Sequence, residues 1–251
     1  MNRQYAVIGL GSFGIRVLEK LSEMTDQVIV VDKARETVEK YKDLAAKAFV
    51  ADALDRDALE RIVPAGIDVA IVDVGDNLEV AIVVVNALKR LGARQIVARA
   101  DSDERGEILA MVGATRIVYP AREAAARLVP MLVSSSLFGF MAISPSLALA
   151  EVKVPARYVG STLVGTDMRK ERGINVVAIR KESGDEYAYF DPEYRLAADD
   201  VLLCAGAERD VSAFSGALIA ERRNVVKGFL RGLLGRPGPK PSDGKGGAHE
   251  S

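Results

Sequence analysis

The first half of the chain alternates short apolar runs with longer segments in which apolar residues recur every three to four positions. The short runs are rich in Val and Ile with little polar alternation, which is typical of strands buried on both faces. The predicted strands are 5–9, 27–31, 47–50, 68–73, 95–99 and 116–119. The predicted helices are 13–24, 35–46, 57–63, 78–91 and 104–112. Strands that alternate with helices predict an α/β fold with a doubly wound parallel sheet over residues 1–134.

The composition changes around residues 134–146, where serine, glycine and proline surround the apolar segment 137–141. Pro120 and Pro130 limit helix continuity on the N-terminal side of this segment. We therefore expect an inter-domain region at 135–148 that contains an exposed crossover helix bearing Phe and Met side chains. Such a helix would bind a partner subunit or pack on its own domain.

Residues 149–216 show a different pattern, with several strand signals close together. The predicted strands are 150–154, 174–181, 186–190 and 201–205, and the predicted helical segments are 160–172 and 208–216. The turn residues 182–185 predict a hairpin between the second and third of these strands. We expect a small α+β domain here. The tail, 217–251, is basic and rich in Gly, Pro and Ser, which predicts disorder; it either stays solvated or makes weak contact with a membrane surface or an acidic partner.

Charge and residue usage narrow the possible chemistry. The formal net charge is −1, so nothing in the composition favours nucleic acid as a partner. No signal peptide is recognisable, and no apolar run approaches the roughly 20 residues of a transmembrane helix. The single cysteine, Cys204, suits a reducing compartment, and we expect a cytoplasmic protein. The single histidine, His249, lies in the tail, so we predict neither a Ser-His-Asp triad nor a metal site.

The strongest chemical signal is a glycine motif, Gly9-Leu10-Gly11-Ser12-Phe13-Gly14, between the first predicted strand and the first predicted helix. A GxGxxG motif in a βαβ context is typical of a Rossmann-type nucleotide-binding domain. Gly9 permits the tight turn, Gly11 lets the backbone approach phosphate oxygens, and Gly14 lets the helix pack closely. The helix N-terminus then offers unpaired N–H groups and partial positive charge to a phosphate.

Acidic and small residues follow the other strands, at the edge where ligands bind in open α/β sheets. Asp32 ends the second strand, where a carboxylate binds ribose hydroxyls and repels a 2′-phosphate; the alternative is that it only caps the next helix. This position favours NAD(H), ATP or ADP over NADP(H). Asp52 follows the third strand, and Gly75 after the fourth permits close approach of a ribose or base. Arg99 ends the fifth strand and either meets phosphate or forms a salt bridge.

Catalytic groups are scarce. No tyrosine is followed by lysine four residues later, so the acid/base pair of many short-chain reductases is absent. The predicted second domain is also small for substrate binding. We therefore predict a nucleotide sensor that is not an enzyme and has no catalytic residues. An NAD-dependent oxidoreductase or epimerase is the main alternative, and a DNA-binding redox regulator is a third, which the near-neutral charge disfavours.

These motifs, taken in order, resemble the RCK family (regulators of potassium conductance), and in particular the cytosolic regulatory subunits of bacterial Trk/Ktr-type potassium uptake systems. The resemblance covers residues 4–216, and the segments that carry it are 5–14, 30–32, 51–53, 69–77, 95–100, 113–120 and 169–179. It implies a Rossmann-type RCK-N (TrkA-N) domain followed by a small α+β RCK-C (TrkA-C) domain.

The resemblance implies that the first domain binds ATP, ADP or NAD(H) and that binding controls K⁺ flux through a separate integral membrane subunit. It also implies a homodimer that assembles into an octameric ring, peripheral to the inner face of the cell membrane. The residues implied to bind the nucleotide are Gly9, Gly11, Ser12, Phe13, Gly14, Asp32, Lys33, Asp52, Ala53, Val74, Gly75 and Arg99.

Two positions depart from the pattern of ATP-responsive relatives. Ser12 stands where some carry an Arg that reaches a terminal phosphate, and Ala121 stands where some carry a Glu that helps hold a divalent cation. ADP, AMP or NAD(H) therefore gain weight over ATP. Some relatives also bind cyclic di-AMP at the second domain; otherwise these positions only pack the core. The residues that match this pattern loosely are Leu163, Met168, Arg169, Ile174, Ile179 and Pro192.

Overall fold

The computed structural model describes residues 3–144 and 146–216. These residues form two compact units, which divide between Ala126 and Arg127. The first unit contains two clusters of buried apolar side chains, and the second contains a separate cluster of its own. Each unit therefore has the apolar core that an independent domain requires.

The first unit is a six-stranded parallel sheet whose strands alternate with helices. Its strands are β1 (Tyr5–Ile8), β2 (Val28–Asp32), β3 (Lys47–Val50), β4 (Val69–Val72), β5 (Gln95–Arg99) and β6 (Arg116–Val118). Its helices are α1 (Ser12–Ser22), α2 (Arg35–Tyr41), α3 (Arg56–Ile62), α4 (Leu78–Arg90) and α5 (Asp103–Val112). The strand order is β3-β2-β1-β4-β5-β6. This order confirms the predicted Rossmann-type sheet, and its direction reverses between β1 and β4.

The central strand β1 explains why the sequence shows apolar runs and not alternation. Ala6 and Ile8 belong to one buried cluster, whereas Val7 between them belongs to the other. Successive strand side chains point to opposite faces of a sheet. Since both faces of β1 are covered, every position along it must be apolar.

A sixth helix, α6 (Pro120–Val133), begins in the first unit and was not among the predicted helices because it contains two prolines. Pro120 is its first residue, where a missing N–H costs nothing. Pro130 lies inside the helix, yet its carbonyl still accepts the N–H of Ser134 at 3.2 Å. Helical geometry therefore continues past Pro130, which the sequence rules for proline did not predict.

The second unit is an antiparallel sheet with short helices, which confirms the predicted α+β class. Its strands are β7 (Leu137–Ser144), β8 (Leu147–Lys153), β9 (Asn175–Lys181) and β10 (Asp200–Gly206), in the order β7-β8-β10-β9. Its helices are α7 (Met168–Arg172) and α8 (Glu208–Phe214). Val152, Leu202 and Val211, from β8, β10 and α8, are fully buried together in its core.

Two sequence predictions for this half of the chain are wrong. The region 135–148 does not contain a crossover helix, because its described residues form β7 and the start of β8, and Phe138 and Met141 are exposed on β7. The segment 186–190 is not a hairpin strand, since only an isolated bridge joins Ile179 to Ala188. The guanidinium of Arg180 instead donates to the backbone of the loop that follows β9, with Nη1 3.1 Å from the carbonyl oxygen of Gly184.

None of the helices within residues 3–144 and 146–216 is long and apolar enough to cross a membrane. The predicted basic tail, 217–251, and His249 within it lie outside the described residues.

Candidate functional site

A cleft of about 430 Å³ opens at the carboxyl ends of β1, β2, β3 and β4, the edge at which parallel sheets bind ligands. It lies beside the point where the strand order reverses. The predicted site residues that line it are Gly9, Gly11, Asp32, Lys33, Asp52, Ala53, Val74 and Gly75. These residues come from four loops that are distant in sequence, and the sheet topology places them together.

The glycine loop is fixed by contacts that leave no room for a side chain. Gly9 has a φ of 89°, and a Cβ there would overlap the carbonyl oxygen of Asp73. A Cβ on the buried Gly14 would overlap the carbonyl oxygen of Gly9. Gly11 is the N-cap of α1 and offers no side-chain cap, so the N–H groups of Ser12 and Phe13 can turn to a ligand, whereas that of Gly14 is bound by Asp73.

Asp32 holds the loop and the start of α2 through both carboxylate oxygens. Oδ2 accepts the backbone N–H of Leu10 at 2.6 Å, and Oδ1 accepts the backbone N–H of Ala34 at 2.7 Å. A carboxylate oxygen has more than one acceptor site, so both oxygens can still accept hydroxyl donors from the cleft. Asp32 therefore fixes the turn before α2, whose N-cap Ala34 has no side-chain cap, and also offers an acceptor position on the cleft wall.

Asp73 lies beneath the glycine loop with its side chain 0% exposed, and Arg99 contacts it. Asp73 Oδ2 accepts the N–H of Gly14 at 2.8 Å, and Oδ1 accepts from Arg99 Nη1 at 3.1 Å. Arg99 Nη2 also donates to Asp101 at 2.8 Å and approaches Asp76 at 3.4 Å. Burial lowers the pKa of Arg99, but the hydrogen bonds to Asp73 and Asp101 outweigh it and raise the pKa above its ordinary value.

The remaining charged groups of the cleft lie on the β2 and β3 sides. The Asp52 carboxylate accepts the N–H of Leu54 at 3.0 Å and so shapes the turn after β3. Lys33 lies next to Asp32 and is exposed. The wall therefore combines carboxylates suited to hydroxyl donors with the exposed ammonium of Lys33, and the backbone offers N–H donors suited to phosphate.

Both units of the chain are similar to known protein domains. The TrkA-N domain model matches residues 5–120, and the TrkA-C domain model matches residues 147–218. Ktr system potassium uptake protein C of Bacillus subtilis (strain 168) is 31% identical over 214 residues, which cover 85% of this chain and 96% of that protein. The chain belongs to the TrkA-N/TrkA-C family. These matches confirm the resemblance to the RCK family that was inferred from the sequence motifs.

Solved structures show the same fold. The GsuK RCK domain superposes with a TM-score of 0.59 at 17% identity, covering 88% of this chain and 48% of that chain. The GsuK channel bound to NAD superposes with a TM-score of 0.58 at 16% identity, covering 85% of this chain and 39% of that chain. This chain therefore spans about half or less of these structures, and the likeness concerns the fold.

Four of the predicted site residues of the TrkA-N domain do not line the cleft within the described part of the chain. Ser12, Phe13 and Gly14 form the first turn of α1, where Ser12 is exposed and Phe13 packs on the core. Their backbone, and not their side chains, is what the loop presents. Arg99 lines a separate small pocket with Asp101 and belongs to the carboxylate cluster described above.

Sequence reasoning missed several residues of the cleft. The side of α2 that faces β2 contributes Thr37, and the loop after β3 contributes Leu54. Asn77 lines the cleft and also caps α4, with its side chain accepting the N–H of Val80 at 3.1 Å. Its position after an acidic and glycine-rich turn was a signal of a helix cap. Asp73 was visible as the residue after β4, but only its burial reveals its importance.

The TrkA-C domain has a smaller pocket of about 170 Å³ between β9 and the loop after it. Met168, Ile174 and Ile179, which matched the cyclic di-AMP pattern, are buried in the core of this domain. Arg169 and Pro192 are exposed. Leu163 is partly buried and packs against the same core. The structure therefore assigns packing to these four apolar positions and leaves the two exposed ones accessible.

Among residues 3–144 and 146–216, no group of three or more His, Cys, Asp or Glu side chains is arranged to hold a metal ion. The carboxylates beside the cleft are instead bound by backbone N–H groups and by Arg99. The arrangement is suited to binding a nucleotide through hydrogen bonds.

Proposed function

We propose that this chain is a nucleotide-sensing regulatory subunit of a potassium transporter or channel. Nucleotide binding in the TrkA-N cleft changes the conformation of the assembled subunits and thereby controls K⁺ flux through a separate membrane protein. The observation that carries the proposal is the cleft of about 430 Å³ at the sheet's switch point, in a chain that is 31% identical to a Ktr potassium uptake protein.

The cleft accounts for each part of an adenine nucleotide with a diphosphate, such as ADP, ATP or NAD(H). The phosphates lie against the glycine loop, where Gly11 and the first N–H groups of α1 donate to their oxygens. The ribose hydroxyls donate to Asp32, which would repel a 2′-phosphate. Ala53 and Val74 provide apolar wall, and Gly75, with a φ of 70° and no heavy atom near its Cβ position, leaves room for the base.

The assembly we propose is a homodimer that forms an octameric ring and binds an integral membrane subunit at the inner face of the cell membrane. Large apolar side chains in the second unit support a protein partner, because a monomer leaves them in water. The exposed ones on α6, β7 and β8 are Leu128, Val129, Leu132, Val133, Phe138, Met141, Ile143 and Leu147. A second copy of the chain or the membrane subunit would cover them.

The remaining parts of the proposal follow from the same family membership. The domain bounds predicted from the sequence are 1–134 and 149–216, whereas the two compact units divide earlier, between Ala126 and Arg127, and the second unit includes β7. We propose that the protein acts in the cytoplasm. Cyclic di-AMP is a second candidate ligand at the TrkA-C domain, and Arg169 and Pro192 are its accessible candidate contacts. We propose that the chain has no catalytic activity of its own; the competing function is an NAD-dependent oxidoreductase or epimerase.

Binding is tested by calorimetric titration of the purified protein with ATP, ADP, AMP, NAD⁺, NADH and NADPH. Asp32→Asn is the informative variant, because an amide oxygen still accepts the Leu10 N–H while the charge is lost. Asp26→Asn is its matched control, since Asp26 is an exposed carboxylate just before the N-terminal end of β2, whereas Asp32 lies at the C-terminal end. We expect binding of an adenine nucleotide that Asp32→Asn weakens and Asp26→Asn does not.

Regulation is tested by measuring K⁺ uptake in cells that contain a Ktr-type membrane subunit, with and without this protein. Uptake that depends on the protein and changes with Asp32→Asn supports a regulatory subunit. Turnover of NADH in the presence of small carbonyl compounds, with no effect on K⁺ uptake, would instead support the oxidoreductase. Absence of binding to every nucleotide would refute the sensing function.

A further inference from the structure

The buried carboxylate of Asp73 contacts the glycine loop from below. A Cβ on Gly11 would lie 2.5 Å from Asp73 Oδ2, so the carboxylate fills the space beneath that glycine. The same oxygen accepts the N–H of Gly14 at 2.8 Å. The backbone N–H of Asp73 donates to Ile8 O at 2.9 Å, which ties the residue to the end of β1. Asp73 therefore binds the backbone both before the loop, at Ile8, and after it, at Gly14.

A buried carboxylate in this place requires compensation. An unpaired charge is costly to bury, and a negative charge below the loop would repel the phosphates above it. Arg99 supplies the compensation, since its Nη1 lies 3.1 Å from Asp73 Oδ1. Arg99 reaches it from the end of β5, while its other nitrogen is bound to Asp101.

We propose that Asp73 is a positioning residue for the phosphate loop and that Arg99 acts on the nucleotide through Asp73, without touching the phosphate. The inference deepens the proposed function and rests on it. Asp73 occupies the N–H of Gly14, which leaves the preceding N–H groups of the loop to the phosphate oxygens. Arg99 offsets the charge of Asp73 beneath the loop, and its own donors are held by carboxylates.

The ion pair between Asp73 and Arg99 predicts a different ADP affinity in the double variant from the one expected if Arg99 bound phosphate directly. Loss of Arg99 alone leaves the Asp73 charge uncompensated next to the phosphates, so anion affinity falls. Removal of the Asp73 charge as well should restore much of that affinity. An arginine that bound phosphate directly would instead lose its contact in both variants, and Asp73→Asn would then change the ADP affinity by the same factor with and without Arg99.

The experiment compares the wild type with Asp73→Asn, Arg99→Met and the double variant, titrated with ADP and with adenosine as the phosphate-free probe. Asparagine retains an oxygen for the Gly14 N–H. We expect Arg99→Met to weaken ADP binding on the order of tenfold or more, with adenosine binding little changed. We expect the double variant to bind ADP more tightly than Arg99→Met does. Equal or weaker binding by the double variant would overturn the inference.

A matched control lies at the opposite edge of the same two strands. Arg94, just before β5, pairs with Asp68, just before β4, at 3.0 Å. Arg94→Met should leave the ADP affinity unchanged, and a comparable loss there would show that any arginine near the sheet acts through general charge. The ratio of ADP to adenosine affinity is the readout that a purely structural role would not move.

Failure of folding and failure of the proposed function are also distinguishable. If Arg99→Met unfolds while the double variant folds, the same charge pairing is supported, because only the uncompensated Asp73 is then responsible. If the single and double variants are equally unstable, the pairing is refuted. If the wild type binds neither ADP nor NAD⁺, the nucleotide-sensing function and this inference fall together. If the wild type binds but affinity is not recovered in the double variant, only this inference falls.

Discussion

Replacement of Gly14 by alanine tests whether the glycine loop is fixed by packing. Gly14 is the third residue of α1, and helix propensity alone favours alanine over glycine there by about 1 kcal/mol. The structure predicts the opposite sign. A Cβ at this position would overlap the carbonyl oxygen of Gly9 and lie 3.4 Å from the Cβ of Asp73. The first neighbour is backbone at the end of β1 and has no rotamer by which to move away.

The magnitude follows from two opposing effects. Overpacking in a closely packed interior costs about 1–3 kcal/mol, against a propensity gain of about 1 kcal/mol, which leaves a net loss of about 0–2 kcal/mol. Because the contacted oxygen is backbone, we expect the upper part of that range, a net loss of about 1–2 kcal/mol in the free energy of unfolding of the first unit. Displacement of α1 would also lengthen the 2.8 Å hydrogen bond from Gly14 N–H to Asp73. Nucleotide affinity should fall together with stability.

Urea unfolding of the wild type and of Gly14→Ala, each with and without saturating nucleotide, measures both effects. Gly184→Ala is the control, because no heavy atom lies within 4 Å of its Cβ position and its φ is outside the left-handed region. That control should be neutral or slightly stabilising. A Gly14→Ala protein as stable as the wild type, with unchanged nucleotide affinity, would refute the close-packing argument for the loop.

Three further predictions concern individual side chains. Burial raises the pKa of Cys204 to about 12, so at pH 8 a thiol reagent should label the folded protein only at its unfolding rate; rapid labelling without denaturant would contradict this burial. Asp200 is fully buried and accepts from Tyr194 Oη at 3.0 Å and from Ala197 N–H at 2.7 Å, so Asp200→Ala should cost about 2–3 kcal/mol in urea unfolding. The exposed Asp199, whose carboxylate also pairs with Lys181 at 2.8 Å, provides the control; equal effects of Asp199→Ala and Asp200→Ala would refute the assignment. Asp32→Asn should raise the NADP⁺ to NAD⁺ affinity ratio by about tenfold, since it removes the charge that repels a 2′-phosphate, and an unchanged ratio in competition titrations would exclude Asp32 from the ribose site.

The sequence predicted the first domain well because its signals are local and repeated. β3 and β5 have the bounds that the apolar runs indicated, and the glycine motif lies between β1 and α1 as its spacing required. The second domain was harder. Helix α6 was not predicted, because proline usually ends a helix and α6 contains Pro120 and Pro130. The apolar segment 137–141 was assigned to a helix, although it forms part of the edge strand β7. A short apolar run fits either structure, and only pairing with β8 decides between them.

The amino-acid sequence by itself determined the strand–helix alternation, the position of the glycine loop and that of the Asp32 carboxylate, because each depends on residues that are neighbours in the chain. The tertiary structure decided which distant residues share the cleft and which do not. Arg99 was expected either to meet phosphate or to form a salt bridge, and the parallel pairing of β4 with β5 places it in a salt bridge with Asp73. Which charged group a side chain contacts depends on the order and register of the strands, and local sequence patterns do not specify that order.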